Sequence, residues 1–381
     1  MTKCGFYTLL LAIFAGVLAL TFTSAAYLYV SIALFLLLIY GLISALLACL
    51  TADAWCEVTN NRVLRGEGTT LRIYAQRTAI LPVAPLKIRY SFGSDEQEML
   101  FQSVFSFHEY DEVFCQAKHV GQYIASVNAI TTEDLFGFFS FRRKVDKQCT
   151  LLSLPRPFPI DKPNLSTGDE GNAALNRSQE DYTSPDDLRS YRAGDAMKRV
   201  HWKLSVRKRE LLVRKYEMPA PPDTLILLDC AEIEDQENAE KAASVRDALC
   251  ETAVAAAAMQ MADGSPVRLP LYGEHANEFC SDRADTLTVL QEMLALQSFQ
   301  GGEDFARVLT MELRRMRRTG ATIIVTTRLD YAVTDAVISI RKMGPSARLY
   351  LVTHTPDAEK YAPFVQRLQH HLVEVCYVTP A

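Results

Sequence analysis

Apolar residues dominate the start of the chain. No Asp, Glu, Lys or Arg occurs between Lys3 and Asp53, and the apolar positions form two blocks, residues 5–22 and 27–50. Each block is close to the roughly 20 residues that a helix needs to cross the hydrocarbon core of a bilayer. Residues 1–52 are therefore predicted to form a two-helix transmembrane hairpin that contacts membrane lipid.

The charges that flank this hairpin predict its orientation. The joint at residues 23–26 carries no basic residue, whereas Lys3, Arg62 and Arg65 lie beyond the outer ends. By the positive-inside rule, both termini and the large domains are expected in the cytoplasm of a multi-pass cell-membrane protein. The alternative is a signal peptide cleaved at the small residues 24–26, which would leave one span.

From residue 55 the pattern changes to short runs of alternating apolar and polar positions, such as 70–74, 86–90 and 123–127. Alternation places one face of a strand on a core and the other in water. With turn signals between the runs, residues 55–154 are predicted to form an all-β, sandwich-like domain. The aromatic run 136–141 is interpreted as a strand that fills its core.

Two proline-rich breaks delimit the middle of the chain. Closely spaced prolines fix the backbone and remove hydrogen-bond donors, so residues 155–180 are predicted to be a linker and loop. Residues 181–222, which end at the second break, form the most charged stretch and carry Trp202 among the charges.

Residues 223–381 alternate continuous apolar runs with helical patterns. Such runs are typical of parallel strands covered on both faces. The predicted strands are 224–228, 266–272, 321–327, 347–353 and 372–378. The predicted helices are 238–262, 282–296, 303–318, 331–343 and 361–370. The alternation predicts a multi-domain chain that ends in an α/β, doubly wound parallel sheet.

Composition narrows the function. The formal net charge of −5 over 381 residues excludes a globally basic nucleic-acid binder, so no nucleic-acid partner is expected. The nine cysteines include no C-x-x-C pair, which favours buried thiols over a disulfide framework or a zinc site. No Gly-rich phosphate loop occurs, and no cofactor is expected.

Asp229 is a candidate metal ligand, because ligands of open α/β sheets bind beyond the carboxyl ends of strands. Asp330 also lies beyond a strand, but Arg328 places a positive charge close to it in sequence. A von Willebrand A-type magnesium site needs an Asp-x-Ser-x-Ser run there, which supplies oxygen ligands. Here Ala231 and Ile233 occupy both hydroxyl positions. We therefore predict no metal.

Ser205 and Lys208 match a Ser-x-x-Lys pattern, in which a lysine deprotonates a serine nucleophile. The companion motifs Ser-Asp-Asn and Lys-Thr-Gly are absent. The sequence therefore contains no complete catalytic motif, and we expect a protein that is not an enzyme. A membrane-bound serine hydrolase built on these two residues is the alternative.

Basic residues cluster between positions 198 and 215, with acidic residues interspersed. Their proximity to a negative membrane leaflet could attract anionic lipid. The mixture of charges around Trp202 fits a protein-docking surface equally well, because Trp and Arg are frequent in interface hot spots.

Three runs, residues 188–195, 199–203 and 211–217, resemble the signature of the domain of unknown function 58 family. That signature is roughly Leu-Arg-x-Tyr-x-x-Gly-Asp, then Arg-x-Ile-His/Asp-Trp-Lys, then Leu-x-Val-Arg and an acidic end. The partner-binding or signature residues carried over are Arg189, Tyr191, Gly194, Asp195, Arg199, His201, Trp202, Lys203 and Arg214. Residues 133–137 resemble the family's Asp-x-Phe-Gly turn.

The resemblance implies a bacterial or archaeal membrane protein with a β domain and a von Willebrand A-like domain at 223–381. It implies an adaptor or assembly factor without an established reaction, with a MoxR-type AAA+ ATPase and a transglutaminase-like membrane protein as partners. The chain departs from the family at residues 206–208 and after Asp229, and the second departure argues against metal-dependent partner binding.

Overall fold

The computed structural model describes residues 2–22, 25–79, 81–161, 185–192, 197, 200–216, 223–233, 238–272, 276–299, 304–316, 319–356 and 359–380. Of residues 185–189 and 214–216 it describes the backbone alone. The chain divides into two compact units, Met1–Leu154 and Pro155–Ala381.

The first unit begins with two helices, α1 (Lys3–Phe22) and α2 (Ala25–Thr51). Both are long and apolar enough to cross a membrane. Small residues line their contact: Ser31 Oγ of α2 donates to the carbonyl of Ala12 in α1 at 3.0 Å. Large apolar side chains cover the outer surface of the pair, as expected of helices that face lipid.

Eight strands follow the hairpin: β1 (Asp53–Val58), β2 (Arg62–Leu64), β3 (Gly68–Arg77), β4 (Leu86–Phe92), β5 (Asp95–Phe101), β6 (Phe107–Gln116), β7 (Gly121–Glu133) and β8 (Ser140–Leu154). They form a three-stranded sheet in the order β1-β3-β6 and a five-stranded sheet in the order β2-β8-β7-β4-β5. Alternate side chains from both sheets, among them Ile73, Ile88 and Val127, share one buried core. The predicted β-rich region is confirmed.

The interpretation of residues 136–141 as a core strand is wrong. Residues 134–139 form the turn between β7 and β8, in which Phe138 is buried but Phe136 is exposed. Gly137 has φ +72°, a conformation that favours glycine and interrupts an extended strand.

The second unit begins with an extended segment, residues 155–161. The carbonyl of Pro155 accepts from Gln291 Nε2 at 2.8 Å. The carbonyl of Asp161 accepts from Nη1 of the buried Arg348 at 2.5 Å. The predicted linker is thus extended over these residues and packs on its own unit; residues 162–180 lie outside the described part.

A two-stranded antiparallel sheet comes next, from β9 (Pro185–Ser190) and β10 (Leu212–Tyr216), with helix α3 (Trp202–Lys208) between them in sequence. The remaining elements are β11 (Asp223–Leu228), α4 (Ala239–Ala262), β12 (Val267–Leu271), β13 (Asn277–Ser281), α5 (Leu287–Leu296), α6 (Phe305–Arg315), β14 (Thr319–Thr326), α7 (Tyr331–Lys342), β15 (Ser346–Val352), α8 (Ala362–His370) and β16 (Glu374–Val378).

These strands form a sheet in the order β13-β12-β11-β14-β15-β16. Five strands are parallel, and β13, which the sequence did not predict, pairs antiparallel with β12 at one edge. The predicted α/β region with a parallel sheet is confirmed. The connections from β11 lead to one side and those from β14 to the other, so the crevice at their carboxyl ends is the topological switch point.

Candidate functional site

The signature residues that the structure describes lie in a small motif built from β9, β10 and α3. The backbone N–H of Tyr191 donates to the carbonyl of Leu211 at 2.8 Å, and that of His201 to the carbonyl of Leu212 at 2.8 Å. Val200 forms an antiparallel bridge with Val213, and both are buried. These contacts hold the start of α3 against β10.

Caps define both ends of α3. His201 Nδ1 accepts from the backbone N–H of Leu204 at 3.3 Å, so the imidazole serves as the N-cap. At the other end Arg209 adopts the left-handed conformation with φ +55° and ends the helix. His201 therefore has a structural role in this motif.

Ser205 is buried and its hydroxyl joins α3 to β10. Its Oγ donates to the carbonyl of His201 at 3.0 Å and accepts from the backbone N–H of Leu212 at 2.9 Å. Lys208, three residues on, is exposed. The geometry gives Ser205 a backbone-bridging role, and the serine-hydrolase alternative stays a prediction.

The outward face of α3 is apolar at its centre. Trp202 is 54% exposed and Val206 is 76% exposed. Residues four apart in a helix lie on one face, so these two form a single apolar patch. Exposed basic residues of α3 and of its C-cap surround this patch. Together they form what we call the α3 surface, which consists of Trp202, Lys203, Val206, Arg207, Lys208 and Arg209.

The other predicted signature residues are distributed unevenly around this surface. Tyr191 is half-buried beside β10, and Lys203 is exposed on α3. Gly194, Asp195 and Arg199 lie outside the described residues. For Arg189 and Arg214 the structure gives the backbone position alone. Arg189 of β9 pairs with Val213 of β10, and Arg214 of β10 pairs with Leu188 of β9.

Asp229 lies at the switch point, directly after β11, and is buried. Its Oδ2 accepts from the Thr326 hydroxyl at 2.7 Å and its Oδ1 from the backbone N–H of Ala231 at 3.1 Å. Arg328 Nε is 3.9 Å from Oδ2. Burial raises the pKa of Asp229, and the hydrogen bonds from Thr326 and Ala231 oppose that rise.

The carboxylate of Asp229 contacts the hydroxyl of Thr326 and faces the guanidinium of Arg328. Both carboxylate oxygens already accept protein hydrogen bonds. Within the described ranges, no group of three or more His, Cys, Asp or Glu has an arrangement that could hold a metal ion. We did not predict from the sequence that Thr326 is the partner of Asp229. The position of Thr326 at the end of a neighbouring strand could have indicated this pairing.

A second buried charge network lies at the antiparallel edge of the sheet. Glu312 of α6 is fully buried and accepts from Arg268 Nη2 at 2.9 Å, from the Tyr272 hydroxyl at 2.5 Å and from Arg315 Nη1 at 2.8 Å. Burial and the bond to Glu312 raise the pKa of Tyr272 to about 12. Sequence analysis missed this network, because its members are far apart in the chain and no motif joins them.

Taken together, the fold and the site define a protein with an N-terminal apolar hairpin, a two-sheet β unit and a parallel α/β unit that carries the exposed α3 surface. Residues 187–366 match the family model described as Protein of unknown function DUF58. The match confirms the resemblance seen in the sequence.

Other comparisons add little. Comparison with curated proteins gives no match. Among solved structures, the CARDB domain of a Pyrococcus furiosus protein is 8% identical with a TM-score of 0.20, over 27% of this chain and 94% of that one. The PKD domain of an M14-like peptidase from a Thermoplasmatales archaeon is 10% identical with a TM-score of 0.18, over 26% and 96%. Cwp6 from Clostridium difficile is 7% identical with a TM-score of 0.18, over 86% and 53%. Similarities with identities and TM-scores this low say nothing about the function of this chain.

Proposed function

We propose that this chain is a membrane-anchored adaptor or assembly factor that works by protein–protein interaction through the α3 surface. In this proposal α1 and α2 span the cell membrane, and both termini, the β-rich domain and the α/β domain lie in the cytoplasm. The exposure of Trp202 beside Val206 carries the proposal. Two large apolar side chains on one turn of a short helix are typical of an interface core.

The charge of the α3 surface defines the chemistry of its partner. Lys203, Arg207, Lys208 and Arg209 are exposed around the apolar patch. The neighbouring Glu210 accepts a hydrogen bond from Ser190 Oγ at 2.5 Å. A partner with an acidic rim around an apolar pocket would complement this surface in both charge and polarity.

We propose a MoxR-type AAA+ ATPase as that partner, with a transglutaminase-like membrane protein in the same assembly. The support is the match of residues 187–366 to the DUF58 family model, together with the α3 surface. We also propose that the second unit is von Willebrand A-like. Its five parallel strands, its antiparallel edge strand and a buried aspartate after the first strand support that assignment.

The test is a binding titration of the full chain in nanodiscs with the purified ATPase. Trp202→Ala removes the centre of the patch, and hot-spot residues cost about 2 kcal/mol or more, so the dissociation constant should rise at least about 30-fold. Val206→Ala should weaken binding less. Binding should also weaken with salt, because exposed charges are screened.

Val289→Ala is the matched control, because Val289 is 51% exposed on α5 of the same unit. It should leave the dissociation constant unchanged. Equal binding by Trp202→Ala and Val289→Ala, with both proteins folded, would reject the α3 surface as the docking site. Binding to anionic vesicles that depends on the basic residues, without binding to the ATPase, would support a lipid role instead.

A further inference from the structure

The turn between β7 and β8, residues 134–139, is attached to the start of the apolar hairpin. The hydroxyl of Thr2 donates to the carbonyls of Gly137 and Phe138, and the backbone N–H of Thr2 donates to Phe138 at 2.8 Å. Thr2 immediately precedes α1. The turn therefore lies at the level where α1 begins.

A buried carboxylate makes this turn rigid. Asp134 Oδ1 accepts from the backbone N–H of Phe139 at 2.6 Å, and Oδ2 accepts from that of Phe136 at 3.1 Å. The same carboxylate packs on α2, where a Cβ built on Gly41 would approach Oδ2 to 3.0 Å. The turn is thus held by both helices of the hairpin.

The packing of α1 against α2 places these contacts at the same level along the axis of the hairpin. Ser31 of α2 lies beside Ala12 and Gly16 of α1, so the antiparallel packing sets Gly41 level with the first turn of α1. The 20 residues of α1 measure about 30 Å, the thickness of a hydrocarbon core. The rest of α2 packs on the β unit, where the Thr132 hydroxyl donates to the carbonyl of Ala45.

The tip of this turn is apolar and open. Leu135 is 46% exposed and Phe136 is 45% exposed, and the Phe136 ring stacks on that of Phe138 with centroids 5.6 Å apart. Two basic side chains near the turn are exposed: Lys3 is the first residue of α1, and Arg142 lies in β8, three residues beyond the turn. Aromatic side chains with nearby basic residues are typical of the bilayer interface.

We propose that the Leu135–Phe136 tip inserts into the interfacial region of the bilayer beside the hairpin. The occupant of this apolar tip is therefore lipid, and the β unit binds the membrane at a point outside its two spanning helices. This inference rests on the proposed membrane anchorage. The turn is hydrogen-bonded to Thr2 before α1 and packs on α2, so it lies beside the spanning helices, and this position favours lipid over a protein partner.

Depth-dependent fluorescence quenching by brominated lipids tests the inference. The chain has two tryptophans, so replacing Trp55 and Trp202 by Phe leaves a background without Trp. Phe136→Trp, Phe14→Trp and Phe114→Trp are then made separately in the full chain and reconstituted into vesicles. All three side chains are exposed aromatic rings in the native protein.

The three positions are matched in chemistry and differ in expected depth. Phe14 lies within α1. Phe114 pairs with Thr70 of β3, whereas Thr78, beyond the other end of β3, accepts from Thr51 at the end of α2. About eight residues of strand, or about 25 Å, therefore separate Phe114 from the helices.

Lipid brominated deep in its acyl chains should quench the Phe14→Trp variant most. Lipid brominated near the headgroup should quench Phe136→Trp most, and Phe114→Trp should not be quenched. If Phe14→Trp is quenched but Phe136→Trp behaves like Phe114→Trp, the inference is overturned and the anchorage stands. If Phe14→Trp is also unquenched, the anchorage itself fails.

Discussion

Replacing Ser205 by alanine separates the structural role of this serine from a catalytic one. The buried hydroxyl is the acceptor for the backbone N–H of Leu212 at 2.9 Å. Alanine leaves that N–H without this acceptor, at a cost of about 1–3 kcal/mol. The higher helix propensity of alanine returns about 0.5 kcal/mol. The net loss should be about 0.5–2.5 kcal/mol, localised where α3 meets β10.

Hydrogen exchange measures this loss directly, because amide protection reports the free energy of local opening. The Leu212 amide in the Ser205→Ala variant should exchange roughly 2- to 70-fold faster than in the native chain. Ser339→Ala is the matched control. Ser339 also lies in a helix and donates to a carbonyl one turn back, Asp335, but it is exposed. Its replacement should leave protection within about twofold.

Unchanged protection at Leu212 in Ser205→Ala would refute the bridging role. The same variant tests the hydrolase alternative. A serine-reactive probe that labels the folded native chain and fails to label Ser205→Ala would identify Ser205 as a nucleophile. We expect no such labelling, because the hydroxyl is buried and bonded to backbone at both ends.

Three further predictions concern buried polar groups. Glu312→Ala should lower the free energy of unfolding of the second unit by about 3 kcal/mol in urea denaturation, because it removes the fully buried partner of Arg268. Stability of the native chain should fall as the pH rises from acid through the raised pKa of Asp229, since the folded state holds that proton more tightly than the unfolded state. Asp229→Asn should remove this fall. Gly41→Leu should speed amide exchange at Phe139, because the new side chain displaces the carboxylate that caps the β7–β8 turn.

Two of these predictions have a control variant, and the Asp229 prediction has a contradicting outcome. Asp285→Ala breaks an exposed ion pair with Arg283 and should change stability by less than about 0.5 kcal/mol. If Asp285→Ala and Glu312→Ala lowered the free energy of unfolding equally, the buried network would stabilise the protein no more than an exposed ion pair does. A pH profile unchanged by Asp229→Asn would show that another group titrates. Ala33→Leu adds the same side chain to an exposed position of α2, and exchange at Phe139 should be unaffected.

Most of the elements were accessible from the sequence because their patterns are local. The uncharged run after Lys3 predicts both helices of the hairpin, and the apolar run in β11 predicts a buried parallel strand. The edge strand β13 was missed because Asn277–Ser281 is short and mostly polar, as strands with one exposed edge often are. Helix α5 begins at Leu287, after a short 3-10 turn, and not at the expected Asp282.

The candidate site was predictable in composition and not in arrangement. The signature pattern identified Trp202 and His201, but it could not show that one is exposed and the other caps a helix. The burial of Ser205 depends on the chain reversing after α3 so that β10 packs back against this helix, and the residue pattern does not show that reversal. The same holds for Thr326 at Asp229.

Photo-crosslinking from the α3 surface shows directly whether this surface contacts the ATPase. A benzoylphenylalanine placed at Val206 of the membrane-reconstituted full chain should crosslink to the MoxR-type ATPase, and Trp202→Ala should abolish that crosslink. The same probe at Val289, which is similarly exposed on α5, should give none. Crosslinking that is equal at both positions, or absent from Val206 while the two proteins bind, would contradict docking through the α3 surface.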